Sequence, residues 1–312
     1  MCGIAGIIHK RASSSGAGIG SEMTSMLQAM KHRGPDSTGF AVYGEPDDLY
    51  VMRFNLADPR DAANFDYSQR LERSRQEVES RLAKIGASVD RVESQSEYSF
   101  RATFRYDGKL KELADYVEDV PGAEVLSLGH SLEIVKDLGD AETVASQYGL
   151  DSFTGTHAIG HVRMATESDV DIAGAHPYWA YPFSDVAVVH NGQLTNYHLW
   201  RRRLERSGHR FQSECDSEII AVYLAERLAA GLTLEEAMKE SMVDLDGVFT
   251  YLVVTDDSLG MAKDEMAAKP LVLYEGEDLV AMASEEGSIR AVMAEEIDTY
   301  DPYDGEVMVW SR

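Results

Sequence analysis

The chain opens MCGIAGII, and the apolar run Ile4 to Ile8 reads as a core strand of the fold. That assignment leaves Cys2, one of two cysteines in 312 residues, at the leading end of the strand. As a structural residue, Cys2 is a small apolar side chain at a strand edge. Once Met1 is removed, however, its thiol and a free α-amine share one carbon, a nucleophile with its own base. Further β-rich texture lies in FAVYG, THAIGHVRMAT, VAVVHNGQLTNY, GVFTYLVVTDD, PLVLYEG, LVAMASE and GEVMVWS, separated by turn residues. Helices are predicted around 21–31 and over DSEIIAVYLAERLAAG, with Asp216 as the N-cap and Gly231 at the stop. Two antiparallel sheets with helices over them are the simplest layered arrangement for residues 1–50 and 151–312.

Residues 51–150 have a different texture. Strands are expected at LYVMRFNL and SEYSFRATFRY, and AEVLSLG with LEIVKDL closes the region. Between them lie an exposed charged helix, YSQRLERSRQEVESRLAK, with Leu71, Val78 and Leu82 on one side, and a short helix ending before Pro121-Gly122. The alternation suggests an inserted α+β subdomain, consistent with a ferredoxin-like topology. The net charge of −25 disfavours nucleic acid and anionic membrane surfaces as partners. No stretch approaches the roughly 20 apolar residues of a membrane span. The run after Cys2 is too short for a secretory signal. Two cysteines suit a reducing compartment, and the expected location is cytoplasmic. The nine histidines show no ligand spacing with either cysteine, so no metal site is expected.

Four segments besides Cys2 carry chemistry. HRGPDSTG (32–39) suits a turn, or a charge-assisted Arg33–Asp36 pair that holds the nucleophile's surroundings. GHVRMAT (160–166) reads as a strand whose Arg163 presents a planar fork to a carboxylate. HNGQLTN (190–196) contains Asn-Gly, the strongest short hairpin signal. Yet the Asn191 amide and Gly192 N–H are also adjacent donors for an oxyanion. CDSEII (215–220) starts a helix, where Asp216 either caps it or binds an ammonium group, and Cys215 reads as a buried small residue.

In this order, terminal Cys-Gly-Ile-x-Gly, HRGPDS, GHxRxAT, HNGxxxN and DSE resemble the glutaminase domain of the class II glutamine amidotransferases. The resemblance covers 1 to about 45 and 155 to about 300. It implies an α+β, four-layer αββα N-terminal-nucleophile hydrolase sandwich interrupted by the 51–150 subdomain. It also implies hydrolysis of L-glutamine to glutamate and ammonia, with Cys2 as nucleophile and Asn191 and Gly192 stabilising the oxyanion. Arg163 then matches the α-carboxylate ligand, Asp216 the α-ammonium ligand and Thr166 a substrate-positioning hydroxyl, with Arg33 and His190 in support. Met164 and Glu167 depart from the aromatic and histidine of the sugar-phosphate branch. No isomerase, phosphoribosyltransferase or nucleotide-loop segment is found, so the ammonia acceptor is expected on another polypeptide. Stand-alone subunits of this length resemble the amidotransferase subunit of glutamate-synthase-like systems, including the N-methylglutamate synthase type. That likeness implies an FMN-dependent partner that also carries an iron–sulfur cluster, and no cofactor on this chain. A γ-glutamyl amide hydrolase acting without ammonia channelling, and a non-catalytic scaffold, are the alternative readings.

Overall fold

The computed structural model describes residues 2–10, 18–57, 59–164, 172 and 174–312. Strand β1 (Gly3–His9) is covered on both faces. Ile4 and Ile8 join a cluster with Leu252 and Val254, while Ala5 and Ile7 face Met23, Leu27 and Val144 on the other side. Successive strand side chains point to opposite faces, so an unbroken apolar run needs cover on both.

β1 lies inside a six-stranded antiparallel sheet, in the order β13 (Val272–Glu275), β14 (Leu279–Ala283), β1, β8 (His157–Arg163), β2 (Ser37–Tyr43), β7 (Leu132–Leu138). A second antiparallel sheet runs β15 (Val307–Ser311), β12 (Ser258–Lys263), β11 (Gly247–Val254), β10 (Ala187–Leu194), β9 (Tyr178–Trp179). The apolar faces of the two sheets meet, for example Ile4, Ile159 and Met282 with Val189, Leu252 and Met261. Helices α1 (Ile19–Ala29), α4 (Ala141–Tyr148) and α8 (Glu286–Arg290) pack outside the first sheet. Helices α5 (Tyr197–Arg206), α6 (Asp216–Ala229) and α7 (Leu234–Asp244) pack outside the second. No described helix is long and apolar enough to cross a membrane.

A separate four-stranded sheet is built from β4 (Ser88–Ser94), β5 (Ser99–Arg105), β3 (Tyr50–Asn55) and β6 (Glu124–Gly129), in that spatial order. With α2 (Tyr67–Lys84) and α3 (Leu110–Glu118) it follows a β-α-β-β-α-β path of the ferredoxin-like kind. Leu71, Val78 and Leu82 form the buried stripe of α2. One boundary differs from the sequence expectation. β7 and α4, assigned to the insert from sequence, pack on the six-stranded sheet and on α1, because β7 pairs along its whole length with β2. The Asn191-Gly192 pair is likewise no hairpin turn. It lies within β10, whose eight residues all pair with β11.

Two buried polar clamps join the insert to the rest. Asp185, in the turn before β10, accepts the backbone N–H groups of His130, Ser131 and Leu132 at 2.8–2.9 Å. Glu133 on β7 binds Arg53 of β3 at 2.6 Å and Arg101 of β5 at 2.9 Å. Burial raises the Glu133 carboxyl, but the two guanidinium groups outweigh it and hold the group below the ordinary glutamate range. A depressed carboxylate contributes stability above its unfolded value, about 4.3, and loses it as pH falls through the folded value. Glu133→Gln, which leaves the buried Arg53 without its acid and the half-buried Arg101 with Glu93 alone, should therefore cost about 3–5 kcal/mol near neutral pH. Urea titrations should show the gap from wild type narrowing below about pH 4.

Candidate active site

The antiparallel register of β1 on β8 pairs Gly3 with Val162 and Ile4 with His161. It sets Cys2 beside the end of β8, where its Sγ lies 3.8 Å from the Met164 carbonyl oxygen. The Cys2 carbonyl accepts from Arg33 Nε at 3.1 Å and from Asn191 Nδ2 at 3.4 Å. Arg33 ends a 3-10 turn (Lys31–Arg33) that follows α1. Its acid is Glu285, 2.7 Å from Nη1, in place of the Asp36 expected from sequence. The backbone of Asp36 is drawn elsewhere, since its N–H donates to the Arg163 carbonyl and its own carbonyl accepts from Gly139. Burial raises the Glu285 carboxyl, yet Arg33 and His32 bring it below its usual range.

Asn191 points between the sheets, and its Nδ2 also reaches Ser284 Oγ at 3.3 Å. That hydroxyl accepts the Ile4 N–H at 3.0 Å, and the Ser284 N–H returns a bond to the Ile4 carbonyl. Ser284 thus fastens the oxyanion candidate to the nucleophile's strand. Gly192 holds φ at +138°, and a Cβ there would collide with the Val248 carbonyl oxygen, so only glycine fits.

His190 faces the other way, toward α6. Its Nδ1 lies 2.9 Å from Ser217 Oγ and 3.6 Å from Asp216 Oδ1. Asp216 is the first residue of α6, and Cys215 occupies the N-cap position expected for it. The carboxylate is drawn off the helix end because Oδ2 accepts the Leu194 N–H at 2.8 Å. Burial raises the Asp216 carboxyl, but His190 and that N–H hold it below the ordinary aspartate range. It therefore stays an anion available to an ammonium group. The Cys215 thiol is pushed up, by burial first and then by Asp216, which makes it a poor nucleophile.

Arg163 is buried at the end of β8, and Gly174 packs so closely on it that a Cβ would sit 2.6 Å from Nη2. Thr166 lies outside the described residues. Cys2 and Arg163 fall at the ends of β1 and β8, Arg33 at the end of the 3-10 turn after α1, His190, Asn191 and Gly192 within β10, and Asp216 at the start of α6. Ser284 and Glu285 escaped the sequence reading because LVAMASE shows only a strand end. His161 stood inside GHVRMAT without a role, while His176 and Ser217 carried no signal of their own.

Residues 161–291 match the family described as the glutamine amidotransferase domain. A putative glutamine amidotransferase of Methanothermobacter thermautotrophicus is 40% identical, with 99% of both chains covered. The chain belongs to the class II glutamine amidotransferase family. The glutamine amidotransferase-like protein GlxB of Rhizobium meliloti is 33% identical over 100% of this chain and 99% of its own. In three dimensions the chain resembles the glutamine phosphoribosylpyrophosphate amidotransferase from B. subtilis, with a TM-score of 0.60 and 18% identity. That match covers 99% of this chain and 47% of the other, so it speaks for the N-terminal-nucleophile hydrolase fold alone.

Ser284→Ala removes the acceptor of the buried Ile4 N–H. A loss of about 1–3 kcal/mol in urea unfolding is expected, together with slower glutamine turnover as Asn191 loses one of its anchors.

Proposed function

We propose that this amidotransferase hydrolyses L-glutamine through a Cys2 thioester and supplies the ammonia to a separate, glutamate-synthase-like subunit. The observation that carries the reading is the Cys2 carbonyl, gripped by Arg33 and Asn191 at the strand end next to Arg163. Once Met1 is removed, the α-amine takes the thiol proton and Sγ attacks the side-chain carbonyl carbon. An amine with an unperturbed pKa of about 7.7–8.0 is suited to this exchange near neutral pH. Charge develops on the carbonyl oxygen, where the Asn191 amide and the Gly192 N–H serve as donors. The amine then protonates the departing nitrogen, the C–N bond breaks and ammonia leaves. Water hydrolyses the thioester to glutamate, and the proton returns to Sγ.

The substrate's own charges need handles at fixed separation. On this reading the Arg163 fork takes the α-carboxylate, the Asp216 carboxylate takes the α-ammonium and Thr166 positions the substrate, with Arg33 and His190 in support. The domain is then an αββα sandwich in four layers, with the region from β3 to β6 as an insert. The partner would carry FMN and an iron–sulfur cluster, and two cysteines on this chain are too few to hold such a cluster. The compartment that suits two free thiols is the cytoplasm.

Glutamate release by the Met1-processed chain tests the chemistry. Cys2→Ala should abolish it, and Asn191→Ala should lower kcat by about 10²–10³-fold. Asp216→Asn should raise the KM for glutamine far more than it lowers kcat. Purification from the native cell, followed by mass spectrometry, should recover a flavoprotein partner that stimulates turnover. Full turnover that no co-purifying protein changes would instead favour a self-sufficient hydrolase.

A further inference from the structure

Behind Asn191 lies a group of buried polar atoms, most of which have no part in the reaction described above. His161 on β8, His176 just before β9 and His190 on β10 are all buried. The His161 and His176 rings stack with centroids 4.2 Å apart. His176 Nε2 and His190 Nδ1 meet on Ser217 Oγ at 2.6 and 2.9 Å. Among the described residues, both ring nitrogens of His161, His176 Nδ1, His190 Nε2 and Asn191 Oδ1 find no hydrogen-bond partner. Buried polar atoms are almost always satisfied, so this concentration of open valences calls for a physical account.

Strand alternation sorts the group. His161 pairs with Ile4, whose side chain lies between the sheets, and cross-strand partners share a face. Asn191 follows Ala187 and Val189, which belong to the same inter-sheet cluster. His190 follows Val188 to the opposite face, against α6. His161 and the Asn191 side chain thus face the same space between the sheets, where β8 packs against β10. Burial, and then His190 and Arg163, push the His161 imidazole down to about 3. The ring is therefore neutral at physiological pH, with one N–H to give and one lone pair to offer. Asn191 Oδ1 can only accept.

We propose that His161 is a positioning residue for the oxyanion donor: a ring N–H of His161 donates to Asn191 Oδ1 and keeps Nδ2 turned toward Cys2. The inference rests on Asn191 acting as that donor. A carboxamide rotated by half a turn would present Oδ1 to the developing oxyanion and repel it. The Ser284 hydroxyl cannot prevent this, because a hydroxyl bonds either end of an amide, and the Cys2 carbonyl holds Nδ2 only through a long contact of 3.4 Å.

Two measurements test the proposal. In protein labelled with 15N-histidine, wild type should show a hydrogen-bonded His161 ring N–H that shifts and exchanges faster in Asn191→Ala. In turnover assays, His161→Phe should lower kcat by about 10²-fold, approaching the loss in Asn191→Ala, with little change in KM. His161→Gln, which keeps a donor, should recover most of that loss. The Phe change should add nothing in the Asn191→Ala background, because the two residues act as one unit. A folded His161→Phe with full kcat, losses that multiply in the double variant, or a ring N–H indifferent to Asn191→Ala would each overturn the proposal. If His161→Phe does not fold, the labelled spectra decide. Absence of glutaminase activity in wild type would instead defeat the glutamine reading, and the spectra would still decide the hydrogen bond.

Discussion

The pairing of β1 with β8 is the interaction on which the site depends. One register sets Cys2, His161 and Arg163 at a common end of the first sheet. A slip by one residue would turn Ile4 and Ile8 out of the inter-sheet cluster and move Cys2 away from its partners. Two-sided burial specifies that register strongly, since each face of β1 meets a different apolar layer. The strand that carries Cys2 is thereby among the most constrained in the fold.

Around that strand end, the polar groups fall into two sets divided by β10. Asn191 and Arg33, the latter held by Glu285, and Ser284 bind the backbone of Cys2 and Ile4 on the inner side. His190, Ser217 and Asp216 form a second set against α6 on the outer side. Neighbouring residues in one strand, His190 and Asn191, therefore face opposite sides of it. The strand's pleat alone makes this separation, with no loop required to carry either group.

Much of this was legible in the sequence because the chemistry sits in short contiguous motifs. HRGPDS maps to the turn into β2, GHVR to the end of β8, HNG to the interior of β10 and CDSE to the start of α6, and the long-range pairing only brings them together. What escaped was of two kinds. Ser284 and Glu285 act through contacts some 250–280 residues away in sequence, which no local pattern announces. Asp216 and the Asn-Gly pair gave local signals, for a cap and for a hairpin, that tertiary partners overrode: Leu194 claimed the carboxylate and β11 claimed the strand. The insert's helices and strands followed periodicity, but its boundary did not, because β7 and its Glu133 belong to the main sheet while binding arginines of the insert.

The strand order also sets a timetable for synthesis. β1 lies between β8 and β14, so its first neighbour is made after residue 157 and its second after residue 279. A chain that emerges from the ribosome amino end first keeps the segment around Cys2 unpaired until most of the protein exists. During that interval the start of the chain is open to enzymes that trim it, whereas afterwards β1 is paired on both edges and Cys2 is half-buried. Contacts of such sequence separation also make for slow folding. The site is therefore among the last parts of the fold to form, and a truncated chain lacking β14 would lack Ser284 and Glu285 as well.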